Sequence, residues 1–151
     1  MLRQTSPGVI GVHEKNPHYF QYGGKEIILI TSAEHYGAVI NKKFDYVKYF
    51  DKLKKYGLNY TRIYPGAFVE REGKWMPEDN MAPGMDTIVP WARSDTPGYY
   101  GGGNKFDLER WDAEYFLRLR DFITQAKNRG IIVEMHNDVK KFGYAGGKYV
   151  A

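Results

Sequence analysis

Two helix-forming stretches of this chain each end in a glycine and run straight into an apolar strand. In "FDYVKYFDKLKKYG", Phe44, Val47, Phe50 and Leu53 recur at helical spacing, and Gly57 ends the run. "LNYTRIYP" follows, rich in β-favouring residues until Pro65 stops it. In "WDAEYFLRLRDFITQAKNRG", Asp112 is placed to cap the first turn and Glu114 lies within it. Phe116, Leu119, Phe122, Ile123 and Ala126 make one apolar face, Lys127 and Arg129 fall in the last turn, and Gly130 ends it. "IIVEMHND" then reads as a strand. Upstream, "HYFQYGGKEIILIT" reads as two strands around Gly23-Gly24, a pair suited to a tight hairpin. Two successive strand–helix–strand units predict an α/β chain with a parallel sheet and right-handed crossovers.

The links from helix to strand are short, whereas residues 65–106 make one long connection after the second strand. A connection of that length inside a domain is expected to be functional. It carries Trp75, Trp91, Tyr99 and Tyr100, in a chain that is 16% aromatic. Flat rings offer large contact area at low entropic cost, and Trp91 or Tyr99 is expected to stack on a ligand ring. The alternative for Trp91 is a buried anchor that holds the connection down.

At 151 residues, 42% hydrophobic and 26% charged, the chain has the make-up of one folded domain. Its net charge of +4 is spread out, with no basic stripe interleaved with aromatics, which argues against nucleic acid. "YYGGGNKF" is glycine-rich but lacks the strand–turn–helix context of a phosphate loop. The absence of cysteine excludes disulfide and thiolate chemistry. "MLRQTSPGVIGV" holds no apolar segment of signal-peptide length, and no run is long enough to span a membrane. No membrane partner is expected, and the compartment stays open.

Chemistry collects at the strand ends. Glu34 and His35 follow "IILIT", and Arg62 and Tyr64 close the second strand. In the third, Glu134, His136 and Asp138 alternate on one face, with Ile131, Val133 and Met135 on the other. Three strands ending in such groups on one side predict a site that includes Glu34, His35, Arg62, Tyr64 and His136, with Trp91 over it. Simpler readings stay open: Glu34 as a helix cap, Arg62 as an ion-pair partner, His136 as a core histidine. His35, His136 and Asp138 also suit a metal by donor type, but no recognised ligand spacing supports one, and no cofactor is expected.

"YFDKLKKYGLNYTRIYP" and "RGIIVEMHND" resemble the second- and third-strand segments of (β/α)8 glycoside hydrolases of the cellulase and mannanase type. "NPHYFQYGGKEIILITSAEHYGAVIN", "PWARSDTPGYYGGGNKFDLERWD" and "RLRDFITQAKNRGIIVE" resemble a group of cellulase-like barrel proteins of bacteria, over roughly residues 9–136. The resemblance implies the N-terminal portion of a TIM (β/α)8 barrel. Residues 1–151 would be one partial domain, with a hairpin region at 1–25, the long βα loop at 65–106 and an irregular tail at 139–151. It also implies that Arg62 orients a nucleophile or holds a sugar hydroxyl, and that His136 lines the subsite at the scissile bond. Glu34 and His35 match no family ending, and their roles rest on position alone.

In the family, the acid/base and nucleophile glutamates stand on the fourth and seventh strands of a barrel of ~250 residues. The three strands read here supply neither, so the isolated chain is expected to be inactive in retaining hydrolysis. A non-catalytic carbohydrate-binding protein and a metal-dependent hydrolase are the alternatives. Three barrel strands leave open sheet edges, which predicts self-association.

Overall fold

The computed structural model describes residues 9–32, 35–66, 68–71, 80–136 and 148–149. The chain divides into two compact units, Met1–Ile30 and Thr31–Ala151.

The first unit is an antiparallel sheet of β1 (Gly11–Val12), β2 (Phe20–Tyr22) and β3 (Lys25–Ile27). β2 and β3 form the expected hairpin, with Phe20 opposite Ile27 and Tyr22 opposite Lys25. Gly23 and Gly24 make its two-residue turn.

The second unit contains α1 (Tyr46–Lys55), β4 (Tyr60–Ile63), β5 (Phe68–Val69), a 3-10 turn (Gly84–Asp86) and β6 (Trp91–Pro97). β7 (Asn104–Trp111), α2 (Ala113–Asn128), β8 (Ile132–Met135) and β9 (Lys148–Tyr149) follow. β4 and β8 pair in parallel; β5 pairs with β9, and β6 with β7, both antiparallel. The stretch 65–106, expected as a single connection, thus contains two strands, a 3-10 turn and the start of a third strand.

The expected barrel portion is not what these residues form. Among the described residues the parallel sheet has two strands, and the remaining sheets are small, separate and antiparallel. "IILIT" does not supply a first parallel strand: regular pairing stops at Ile27, in β3, whose ladder runs to β2. The physical reason is local. A two-residue turn closes the β2–β3 pairing at small entropic cost, whereas a parallel partner must be brought from far along the chain.

Both helices form where the pattern placed them. The Asp45 carboxylate caps α1 by accepting from the Lys48 N–H, and Asp112 caps α2 by accepting from the Glu114 N–H. Their faces are shifted from expectation. α1 buries Tyr49, Phe50 and Leu53 but leaves Val47 exposed; α2 buries Tyr115, Phe122 and Ala126 but leaves Phe116 and Ile123 exposed. Phe50 meets Phe122 at 4.8 Å between ring centroids, which joins the helices. Burying rings of this size contributes about 2 kcal/mol each.

Arg118 ties α2 to the segment before α1. Its guanidinium donates to the carbonyls of Ala38, Val39, Asn41 and Phe44 at 2.7–3.1 Å, and lies over the Tyr46 ring. One cation thus bonds four carbonyls, of which those of Asn41 and Phe44 also accept from backbone N–H groups. Among the described residues, no helix is long and apolar enough to cross a membrane.

Candidate functional site

β4 and β8 set the site by register. Tyr60 stands opposite Ile132 and Arg62 opposite Glu134. Alternation then puts Tyr60, Arg62 and Tyr64 on one face beside Glu134 and His136, and turns Thr61 and Ile63 to the other. Thr61 and Ile63 are buried, and the Thr61 hydroxyl hydrogen-bonds the Tyr49 phenol of α1 at 2.8 Å. The helices therefore cover one face, and the polar groups occupy the other. Ile131 is buried and Val133 packs on the core, but Met135, expected beside them, is exposed.

Glu134 is the hub. Arg62 approaches it from two nitrogens, Nε to Oε1 at 3.0 Å and Nη2 to Oε2 at 3.2 Å. The Tyr60 phenol donates to Oε2, and His136 Nδ1 lies 3.9 Å from Oε1. Burial pushes the Glu134 carboxyl up, but the hydrogen bonds from Tyr60 and Arg62, with the charges of Arg62 and His136, outweigh it. The net effect holds Glu134 below the usual carboxylate range, so it is ionised and a poor proton donor. Burial and the bond to Glu134 push the Tyr60 phenol up to about 12.

The neighbouring segment joins the strand ends. The Ile63 carbonyl accepts from the His136 N–H at 2.9 Å, while the Tyr64 N–H donates to Tyr36 at 3.0 Å. Successive residues of a strand point their bonds to opposite sides. Tyr36 and His136 therefore flank the end of β4. The Tyr64 ring is 5.0 Å from Tyr36 and 5.5 Å from His136.

"SAEHYG" can now be understood from its second half. His35 lies between the rings of Phe44 and Tyr49, each 4.8 Å away. Asn80 clamps it: the Asn80 Oδ1 accepts from the Gly37 N–H at 3.1 Å, and the amide nitrogen meets His35 Nδ1 at 2.8 Å. With the oxygen used on Gly37, the Asn80 NH2 is the donor, so His35 Nδ1 is an acceptor and the proton sits on Nε2. Burial also pushes His35 down, which favours this neutral form. Only glycine fits at 37, since a Cβ there would lie 1.9 Å from the Asn80 carbonyl oxygen.

Of the residues the sequence singled out, Arg62, Tyr64 and His136 come together, and His35 stands one residue from Tyr36 at the same strand end. Trp91 belongs to a different cluster, stacked on Trp111 across the β6–β7 pair at 6.1 Å and 18°. Tyr99 is buried against Phe106 and Tyr100. Glu34, Trp75 and Asp138 lie outside the described residues. Among the described residues, no three His, Cys, Asp or Glu side chains are grouped as metal ligands. Sequence reading missed Tyr60 and Asn80. Tyr60 was findable, because it stands two positions before Arg62 on the same face; nothing marked Asn80.

No protein-family model and no curated protein matches the chain. Among solved structures, the chain is similar to a protein of Bacteroides vulgatus ATCC 8482 provisionally named a glycoside hydrolase, with a TM-score of 0.58 and 16% identity. The match covers 92% of this chain and 26% of that one, so the chain spans about a quarter of the other's length. At that identity the likeness is one of fold alone. It reaches neither the cellulase type nor a barrel.

Proposed function

We propose that the chain is part of a glycoside-hydrolase-type protein and that the Tyr60–Arg62–Glu134–His136 face holds an oligosaccharide. The observation that carries this reading is the Glu134 carboxylate, gripped by Arg62 and Tyr60 on the strand face that, among the described residues, no helix covers. A fixed carboxylate accepts from sugar hydroxyls, the guanidinium beside it donates to others, and the Tyr64 and His136 rings offer flat edges to the apolar side of a pyranose. Fixing these groups before binding lowers the entropy lost on binding.

Glu134 is not suited to general acid work, because its surroundings keep it deprotonated. Retaining hydrolysis needs two carboxyl groups about 5–5.5 Å apart, one of them a proton donor. We therefore assign this face to substrate binding. Hydrolysis by a two-carboxylate mechanism, on a β-glycan of the cellulase type, belongs to the proposal for the whole protein. Binding without turnover remains the second reading, favoured by the same deprotonated Glu134.

Calorimetric titration with cellotriose or mannotriose tests the reading. Binding is expected, and Glu134→Gln is expected to weaken it about tenfold, the scale of a hydrogen bond to a charged group. Equal affinity in Glu134→Gln would remove the support for this face.

A further inference from the structure

Asn80 serves two partners that need opposite things from it. Its side-chain oxygen accepts from the Gly37 N–H at 3.1 Å, and its amide nitrogen lies 2.8 Å from His35 Nδ1. Both contacts hold only while His35 Nδ1 is an unprotonated acceptor. We infer that His35, Asn80 and Gly37 form a proton-operated latch, closed on the neutral imidazole and opened when His35 takes a second proton.

An imidazolium carries a proton on each ring nitrogen, so its Nδ1–H would face the Asn80 NH2, donor against donor. Turning the amide over would give Nδ1–H an oxygen but set the NH2 against the Gly37 N–H. The Gly37 N–H is a backbone donor and cannot change its role. One of the two hydrogen bonds is therefore lost whichever way Asn80 turns.

The surroundings offer the charged ring no substitute. Phe44 and Tyr49 pack against it, each 4.8 Å away. Phe44 and Asn80 carry no charge. The Tyr49 phenol of α1 is the one titratable group on these neighbours, and it shares a hydrogen bond with the Thr61 hydroxyl at 2.8 Å. Among the described residues, no carboxylate pairs with His35, and burial holds it below its ordinary 6.5. The proton therefore enters, and the latch opens, as pH falls below 6.5.

The latch joins two segments that touch closely. A Cβ at Gly37 would meet the Asn80 carbonyl oxygen at 1.9 Å and the Met81 nitrogen at 2.8 Å, so the Asn80–Met81 peptide lies directly on Gly37. The Met81 carbonyl accepts from the Glu70 N–H at 2.7 Å, which anchors the same segment from its other side and lets the latch reclose. Tyr36 stands between the two latch residues. Its carbonyl accepts the Tyr64 N–H at 3.0 Å, and its ring is 5.0 Å from the Tyr64 ring. Opening at Gly37 thus loosens the hold on the end of β4.

The test follows the full chain, labelled with nitrogen-15, by NMR from pH 8 to pH 4. At pH 8 the His35 ring nitrogens are expected to report the Nε2–H tautomer. As pH falls, the Asn80 side-chain amide and the Gly37 N–H should shift with the His35 midpoint. Exchange of the Gly37 and Tyr64 amides, corrected for its intrinsic pH dependence, should rise about fivefold, the scale of one lost hydrogen bond. Asn80→Asp offers acceptor oxygens to both partners. It should raise the His35 midpoint above that of the parent and keep Gly37 protected in acid, a reversal that a merely structural Asn80 would not give. An Nδ1–H tautomer at pH 8, or Gly37 and Asn80 signals that stay still while His35 titrates, would overturn the latch. So would a His35 ring that takes no proton by pH 4, or an Asn80→Asp midpoint no higher than the parent's. Unchanged exchange at Tyr64 through the transition would overturn the link to β4. Should Asn80→Asp fail to fold, the parent titration decides alone.

Discussion

The β4–β8 pair and the β6–β7 pair place arginines in opposite employment. Arg62 faces a carboxylate brought from 72 residues away and lies half-buried on the strand face opposite Thr61 and Ile63. Arg93 donates to the Gly102 and Asn104 carbonyls of its own hairpin and is sandwiched against Phe106 and Tyr99. The first arginine is paired with a carboxylate; the second donates through Nη1 to two backbone carbonyls. Parallel pairing lets distant segments deliver chemistry to one edge, whereas a hairpin tends to satisfy itself. Substitutions should therefore separate into those that hurt binding and those that hurt stability.

The largest effect is expected at Gly37. Gly37→Ala sets a Cβ 1.9 Å from the Asn80 carbonyl oxygen, against backbone rather than a flexible side chain. A loss of about 3 kcal/mol in urea unfolding is expected, the upper range for overpacking. A variant as stable as the parent would show that Asn80 does not clamp the strand end.

Arg93→Ala comes next. It strips two carbonyls of their donor and two rings of their cation, and should cost about 2 kcal/mol with sugar binding at the Glu134 face unchanged. Arg62→Ala should do the opposite, with a stability loss of about 1 kcal/mol or less, since the pair is partly exposed, and a clear loss of sugar affinity. If both variants lose stability alike and binding alike, the contrast between the two regions fails.

Acid should act on the strand end in two steps. His35 is pushed below its ordinary 6.5, so its contribution is present above that pH and lost as pH falls toward the lower folded value. Glu134 is held below its ordinary 4.5, so its contribution is present above that and lost on further acidification. Glu134→Gln should remove the lower step alone in a stability-versus-pH series. A profile that is flat between pH 7 and pH 4 would contradict the half-buried neutral His35.

The smallest effect concerns association. Among the described residues β8 has one strand partner, β4, and Trp111, Phe116 and Leu117 are exposed. Sedimentation should show weak self-association that grows with concentration. A strict monomer at millimolar concentration would show that the free side of β8 is protected.

Period-two alternation explains why part of the site was legible. Arg62 and His136 could be placed because strand side chains share a face every second residue, and two helices ending in glycine fixed where the strands began. The Arg62–Glu134 pairing needed the register, which no local pattern encodes. "IILIT" misled because an apolar run suits several kinds of strand equally, and the Gly23-Gly24 turn committed its start to a hairpin. The β6–β7 pair stayed hidden because its ladder shifts register between Trp91 and Arg93 and again before Pro97. Irregular ladders break the alternation that sequence reading relies on.

The central claim is that Glu134 receives the ligand. Its side-chain carboxyl carbon can be followed by NMR in chain labelled at glutamate, with Glu134→Gln supplying the assignment. Saturating cellotriose is expected to move that resonance and to lower its titration midpoint further, because sugar hydroxyls donating to the ionised form stabilise it. A Glu134 resonance whose shift and midpoint are the same with and without bound sugar would contradict the account.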